Sequence, residues 1–140
     1  MRQHSETIKK ATGSAPARFQ PMGGGCVADV RKVTLEDGRA IVAKIGDPGS
    51  GLDLEGFMLR YLADTGGLPV PDVLYADDKL LLMSLLETGG GLSGGAQIQA
   101  ADLLAALHDV TAERFGFDRP TVIGGLQQPN DENDDWVAFF

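Results

Sequence analysis

The spacing of apolar and polar residues near the start of the chain predicts a β-hairpin. Residues 5–13 form a short predicted helix that ends at Gly13. From Phe19 to Ile45 the chain then has the β-branched and apolar composition of extended strands. The Asp37-Gly38 dipeptide lies between two such runs and is typical of a tight turn. We therefore expect a hairpin, with the glycine triplet Gly23–Gly25 in the approach to it.

A one-sided helix is predicted after the loop Gly46–Gly51. Ser50 or Asp53 can cap its start, and Gly66 suits its end. Its apolar residues follow the spacing i, i+3, i+4, i+7 and i+8, which places them on one face of a helix. These residues are Leu54, Phe57, Met58, Tyr61 and Leu62.

Two further strands complete the predicted first part of the fold. Val73–Ala76 and Leu80–Leu85 are short apolar runs separated by Asp77-Asp78, a pair of turn-forming residues. Strands that follow one another with short turns favour antiparallel pairing. The order of elements therefore predicts an α+β fold, in which a mostly antiparallel sheet packs with one helix.

The last third of the chain predicts a linker and helical structure. Thr88–Gly95 is rich in glycine, and Ala96–Arg114 has helical spacing of its apolar residues. An irregular stretch to Asn133 follows, and Asp134–Phe140 has the character of a helix that has only begun. The apolar side of the Ala96–Arg114 helix comprises Leu103, Leu104, Leu107 and Val110.

Composition narrows the class of protein. The 140 residues are 43% hydrophobic, enough for about one domain with a buried core. A net charge of −8 argues against nucleic-acid binding, because phosphate neutralisation needs a basic face. Neither a membrane span nor a secretory signal is predicted. The single cysteine cannot form an internal disulfide, so we expect a reducing, cytoplasmic setting.

One glycine motif has the spacing of a phosphate-binding loop. The pattern Gly23-x-Gly25-x-x-Ala28-x-Val30 matches the glycine-rich loop of protein-kinase-like folds, with alanine in place of the third glycine. Backbone without side chains can lie close over phosphates. An ordinary glycine turn before a strand would explain the same residues, so this motif alone leaves both interpretations open.

A lysine and a glutamate strengthen the nucleotide interpretation. In Ile41-Val42-Ala43-Lys44, strand alternation places Val42 and Lys44 on one face, where an ammonium group can meet phosphate oxygens. Glu55 falls just outside the apolar stripe of the predicted helix, beside Leu62, and can reach toward the sheet. A snorkelling lysine and a solvated first-turn glutamate are the alternatives. Together, the loop, lysine and glutamate have the order of a kinase small lobe.

The run that follows the last predicted strand fits a hinge. Backbone groups of Ser84–Glu87 would bind an adenine edge there, although a plain core strand is the alternative. Cys26, within the glycine loop, is a candidate redox-sensitive thiol or a small apolar filler. The predicted ATP-binding residues are Gly23, Gly24, Gly25, Val30, Val42, Lys44, Glu55, Met83, Ser84, Leu85 and Leu86.

The chain resembles the fructosamine (ketosamine-3-) kinase family along nearly its whole length. Its Phe-Gly-Phe and Asp-Asp-Trp segments separate that family from the aminoglycoside and choline kinases. The segments that carry the resemblance are Gly23–Val27, Gly66–Leu74, Leu107-His108, Phe115–Asp118, Ile123–Asn130 and Asp134–Phe140.

The resemblance implies a bilobal kinase with a protein-kinase-like fold. An ATP-binding small lobe would span residues 1–83, a hinge and linker 84–95, and the start of a helical large lobe 96–140. ATP and Mg²⁺ would serve to phosphorylate the 3-hydroxyl of a ketosamine, on a small molecule or a glycated protein. Lys44 corresponds to the lysine on the ATP phosphates, Glu55 to its ion-pair partner and Ser84–Glu87 to the hinge.

The same resemblance predicts that this chain is incomplete. The family's catalytic His-Gly-Asp sequence and its magnesium ligands lie beyond the Asp-Asp-Trp segment, so we expect the base after Phe140 and predict no catalytic or metal-binding residue before it. Turnover by the chain alone should be negligible. An aminoglycoside- or choline-type phosphotransferase and a non-catalytic nucleotide-binding or interaction module are the alternative functions. Apolar residues of the incomplete large lobe would favour self-association: Leu103, Leu104, Leu107, Trp136, Phe139 and Phe140.

Overall fold

The computed structural model describes residues 2–23, 28–87 and 89–140. Four helices and seven strands lie within these ranges. In chain order they are α1 Arg2–Thr12, β1 Pro16–Pro21, β2 Asp29–Leu35, β3 Ala40–Ile45, α2 Leu52–Gly66, β4 Val73–Ala76, β5 Leu80–Ser84, α3 Gly94–His108, β6 Thr121–Ile123, β7 Leu126–Gln128 and α4 Trp136–Phe139.

Five strands form one antiparallel sheet in the order β1-β2-β3-β5-β4. The predicted hairpin is β2–β3, and Gly38 in its turn has a φ of 86°, which glycine adopts readily. Asp37 closes the turn by accepting bonds from the backbone N–H and the guanidinium of Arg39. The guanidinium bond lowers the pKa of Asp37. The predicted α+β class is confirmed.

The glycine triplet lies in the connection between β1 and β2. The sequence predicts extended chain only from Phe19, whereas β1 begins at Pro16 and pairs with β2 as far as Arg31. The Met22 N–H donates to the carbonyl of Val30 and closes the base of this connection, at 2.9 Å. Gly24, Gly25, Cys26 and Val27 lie outside the described residues. The motif thus joins two paired strands rather than merely preceding a hairpin.

One face of the sheet, here called the α1 face, is covered by the first helix. Ile8 of α1 is fully buried against it. Alternate residues of the central strands supply the rest of this core, as the two-residue strand period requires. The buried members of the cluster are Ile8, Val33, Leu35, Ile41, Ala43, Leu80 and Leu82.

The opposite face, here called the α2 face, packs against the second helix. Its residues come from the intervening positions of the same strands, so Leu81 and Leu82 are both fully buried but on opposite sides. The predicted division of β3 into two faces is therefore confirmed. The buried members of this second cluster are Val42, Leu52, Leu81 and Met83.

Helix α2 packs on the sheet through a different stripe from the predicted one. Leu52 and Gly56 are buried and Leu59 packs against the α2-face cluster, whereas Tyr61 of the predicted stripe is 41% exposed. A side chain on Gly56 would approach the Cβ of Ala76 to 2.6 Å, so the helix axis lies close to the sheet there. The predicted stripe was wrong because it was chosen from the spacing of large apolar residues, and glycine is not one of them.

The start of α2 also differs from prediction, whereas its end at Gly66 is as predicted. Its N-cap is Gly51 with a φ of 67° and no side-chain cap, so neither Ser50 nor Asp53 has that role. The Ser50 hydroxyl instead donates to the Asp47 carbonyl. At the other end, Gly66 is the last helical residue and Gly67, with a φ of 59°, is the C-cap. The left-handed backbone at Gly51 and Gly67 explains why glycine occupies both positions.

The chain divides into two compact units, residues 1–107 and 108–140. Helix α3 ends at His108, six residues before the predicted end at Arg114, and none of its residues is buried. The predicted boundaries at 83/84 and 95/96 stay predictions. None of the helices in the part that the structure describes is long and apolar enough to cross a membrane.

The second unit contains a small hairpin in the stretch expected to be irregular. Strands β6 and β7 pair around Gly124, which has a φ of 59°. Gly116 also has a positive φ, 126°, and a side chain there would meet the backbone of Glu132 at 2.8 Å. The Phe115 and Asn133 backbones exchange two hydrogen bonds across this site. Runs of three residues are too short to be recognised by periodicity.

An aromatic cluster surrounds the last helix, which is present as predicted. The ring of Trp136 lies 5.4 Å from Phe115 and 5.2 Å from Phe140. The Asp135 carboxylate accepts bonds from the Val137 and Ala138 N–H groups and so caps α4. Trp136 is 51% and Phe140 92% exposed, which agrees with the expected apolar exposure of this segment.

Candidate functional site

Lys44 and Glu55 form a bidentate ion pair on the α2 face. The lysine Nζ lies 2.6 Å from Oε1 and 2.7 Å from Oε2 of the glutamate. The two side chains are 22% and 34% exposed, so the pair is neither sealed in the core nor free in solvent. Charge-assisted bonds of this length fix an ammonium group in place while leaving part of it accessible.

The local folds of β3 and α2 explain this geometry. Lys44 follows Val42 on the same face of its strand, opposite Leu81 of β5. Glu55 is three residues after Leu52 and one before Gly56, so it lies within the sheet-facing side of α2. The sequence interpretation put Glu55 at the edge beside Leu62. Its central position follows from the close approach of the helix at Gly56.

Predicted apolar residues of the site lie beside the ion pair. Val30 is the register partner of Lys44 on β2, and Met83 is the partner of Val42 on β5. Val30, Val42 and Met83 all belong to or pack against the α2-face cluster, as does Leu85. The structure therefore brings the predicted apolar residues Val30, Val42 and Met83 together with a held ammonium group.

The predicted hinge begins at the end of β5. The N–H of Ser84 donates to the Asp72 carbonyl and its hydroxyl accepts from the Asp72 N–H, both at 2.9 Å. The amide of Ser84 is therefore engaged by the chain itself. Leu85 is half-buried and Leu86 is half exposed, without regular structure. Sequence reasoning missed Asp72, because a backbone contact leaves no signal in residue type.

The remaining predicted groups can be located only in part. Gly23 is exposed at the end of the connection from β1. Gly24, Gly25 and the redox candidate Cys26 lie outside the described residues, so their roles stay predictions. Among residues 2–23, 28–87 and 89–140, no group of three or more histidine, cysteine, aspartate or glutamate side chains is placed to hold a metal ion.

Comparison with known protein families identifies the family of this chain. A model described as fructosamine kinase matches residues 1–140. The chain belongs to the fructosamine kinase family. The predicted family is thereby confirmed. A protein of Enterococcus faecium, provisionally named a ketoamine kinase, is 42% identical over 60 residues, which are 43% of this chain and 20% of the relative.

Solved structures support the fold assignment. A protein of Thermobifida fusca, provisionally named a fructosamine-3-kinase, is 27% identical, with a TM-score of 0.83 over 99% of this chain and 50% of its own. A similarly named protein of Haemophilus somnus is 22% identical, with a TM-score of 0.83 over 97% and 48% of the two chains. The protein-kinase-like fold is confirmed. This chain spans about half the length of these structures.

Proposed function

We propose that this chain provides the ATP-binding part of a kinase that phosphorylates the 3-hydroxyl of ketosamines. The observation that carries the proposal is the Lys44–Glu55 pair at 2.6 and 2.7 Å. In protein-kinase-like folds, a strand lysine contacts the phosphates only when a helix glutamate holds it in place. The family assignment supports a kinase, and the pair supports a nucleotide as its ligand.

Each part of the site has a task in this proposal. Lys44 would donate to phosphate oxygens, and the apolar surface of Val30, Val42 and Met83 would lie against the adenine. The backbone of Leu85 and Leu86 would bind the adenine edge, since the Ser84 amide is engaged by Asp72. The glycine connection would cover the phosphates. Mg²⁺, bound with ATP, would supply further charge neutralisation.

Isothermal titration calorimetry with ATP and Mg²⁺ tests nucleotide binding directly. Lys44→Met should raise the dissociation constant for ATP about 10-fold or more, because a charge-assisted contact to phosphate is lost. Lys10→Met is the matched control, since it removes an exposed lysine from α1. Equal affinities of wild type and Lys44→Met, or no heat of binding at millimolar ATP, would contradict the proposal.

The substrate class needs a separate assay. Phosphate transfer from ATP to a fructosyl-amine, compared with choline and an aminoglycoside, distinguishes the proposed acceptor from those of related kinases. Phosphorylation of the fructosyl-amine alone would support the ketosamine assignment. Transfer is expected only where the family's catalytic His-Gly-Asp sequence is present, so the assay uses a protein that includes that sequence. ATP binding by that protein without transfer to any acceptor would support a nucleotide-binding module. Transfer to glycated lysozyme would extend the substrate from small molecules to proteins.

A further inference from the structure

The loop that joins the two halves of the ion pair has little rigidity of its own. It runs from Gly46 to Gly51, directly after the strand of Lys44 and before the helix of Glu55. Gly49 and Gly51 both have positive φ values, 86° and 67°. Glycines lose more conformational freedom on folding than other residues, so contacts from outside the loop add to the Ser50–Asp47 bonds within it in fixing its shape.

Asp78, in the turn between β4 and β5, supplies such contacts. Its Oδ2 accepts from the Gly49 N–H at 2.7 Å and its Oδ1 from the Gly51 N–H at 3.2 Å. Gly51 is the N-cap of α2 and has no cap from its own neighbours. A carboxylate 27 residues further along the chain therefore binds the N–H of the N-cap residue itself, and its charge favours the positive end of the helix.

The turn that carries Asp78 is itself well anchored. The adjacent Asp77 accepts bonds from the Lys79 and Leu80 N–H groups at 2.8 Å and so closes the turn. The Lys79 carbonyl accepts from the Gly46 N–H at 2.9 Å, which ties the first residue of the loop to the same turn. Both ends of the loop are thus hydrogen-bonded to the same turn, which joins the paired strands β4 and β5.

We propose that Asp78 is a positioning residue that sets α2 against β3, so that Glu55 meets Lys44. This inference rests on the proposed function, because it assigns Asp78 a role in preparing the same site for nucleotide. The carboxylate touches neither member of the pair. It acts through the first turn of α2, four residues before Glu55.

The first experiment does not depend on nucleotide. In protein labelled with ¹³C at glutamate side chains, the carboxyl resonance of Glu55, assigned with Glu55→Gln, reports on its ion pair. Asp78→Ala should move this resonance toward those of the exposed glutamates. Asp53→Asn is the charge-matched control, since Asp53 is an exposed carboxylate in the same first turn and should leave the resonance in place. An unchanged resonance in folded Asp78→Ala would overturn the proposal.

Asp78→Asn keeps the experiment decisive if the alanine variant does not fold. The amide retains one acceptor oxygen for the two N–H groups and loses the charge. It should give a smaller shift of the Glu55 resonance in the same direction. A folded Asp78→Asn protein with the wild-type resonance would overturn the proposal.

The second experiment measures ATP affinity in a double-mutant cycle. Asp78→Ala should weaken binding about 3- to 10-fold in the wild-type background, the range that loss of a helix cap predicts. In the Glu55→Gln background the same change should cost less than about 2-fold, because residues acting through one contact are not additive. Equal losses in both backgrounds would overturn the proposal. Failure of wild type to bind ATP would instead remove the proposed function, while the resonance experiment would still decide the role of Asp78.

Discussion

The two faces of the five-stranded sheet are built from the same strands but differ in the side chains that they bring together. The α1 face is an apolar core closed by Ile8, and the described part of the chain places no charged group within it. The α2 face has a smaller buried cluster and carries the Lys44–Glu55 pair at its surface. One residue of shift along β3 or β5 moves a side chain from one environment to the other.

Under the proposed function, neighbouring positions along one strand contribute either to stability or to nucleotide binding. Ala43 belongs to the buried cluster of the α1 face, whereas Lys44, its neighbour, holds the carboxylate. The two aspartates of the β4–β5 turn follow the same division. The Tyr75 hydroxyl, from a residue packed on the α1-face cluster, donates to Asp77, while Asp78 bonds the start of α2. Adjacent residues therefore offer matched tests of the comparison.

The largest expected effect comes from truncating the two buried leucines of β5. Leu82→Ala and Leu81→Ala should each lower the free energy of unfolding by about 2–5 kcal/mol, because both side chains are fully buried. Only Leu81→Ala should also weaken ATP binding, since Leu81 pairs with Lys44 and lies under α2. Urea unfolding followed by circular dichroism measures the free energy of unfolding. Titration calorimetry at low temperature, where both variants are folded, measures the affinity for ATP.

These two variants control for each other. They remove the same atoms from neighbouring positions in one strand, so any difference between them reports on the face and not on the strand. If Leu82→Ala weakens ATP binding as much as Leu81→Ala, the two faces are not independent. In that case the division drawn here would be wrong.

A methyl group at Gly56 should destabilise the protein, although alanine is the better helix former. Replacing glycine with alanine inside a helix ordinarily stabilises the helix by about 1 kcal/mol. Here the new Cβ would lie 2.6 Å from the Cβ of Ala76 and 3.3 Å from Leu81. Overpacking should therefore cost about 1–3 kcal/mol of folding stability, which outweighs the gain in helix propensity. Gly56→Ala should also lengthen the Lys44–Glu55 contact and weaken ATP binding.

Ala76→Gly offers a specific rescue of that variant. Removing the Ala76 methyl takes away the closest clash, so Gly56→Ala/Ala76→Gly should recover both thermal stability and ATP affinity in part. Differential scanning calorimetry and ATP titration of the two single variants and the double variant complete the cycle. Additive losses would show that the helix does not approach the sheet at this point.

Acid should weaken the α1 side of the β4–β5 turn through Asp77. Burial alone would raise the pKa of Asp77, but bonds from the Tyr75 hydroxyl and two backbone N–H groups, with the charge of His4, lower it below 3.8. A lowered pKa in the folded state stabilises the fold above the ordinary pKa and is lost as pH falls through the folded one. Asp77→Asn should therefore flatten the decline of unfolding free energy below about pH 4, measured by urea titration. Equal slopes in variant and wild type would contradict this assignment.

The sequence predicts the sheet and the ion pair well because strong local signals specify them. Asp37-Gly38 marks the hairpin, and strand alternation gives Lys44 its face. What sequence reasoning missed depends on contacts between distant segments. The packing stripe of α2 follows from the glycine at 56 meeting Ala76, and the side-chain bond to the N-cap residue Gly51 comes from Asp78. Neither contact is visible in the periodicity of a single helix.

The smallest expected effect compares two adjacent glycines at the end of α2. A side chain on Gly66 would clash with the Cδ1 of Leu107, but this atom is the far end of a flexible side chain that can rotate away. Gly66→Ala should therefore change the free energy of unfolding by less than about 1 kcal/mol, in the stabilising direction, since alanine restricts the unfolded chain. Gly67 has open space around it but a φ of 59°, so Gly67→Ala should destabilise by about 1 kcal/mol. Urea unfolding of both variants separates the two causes: a loss at 66 larger than at 67 would mean that contact with Leu107, and not backbone conformation, governs this end of the helix.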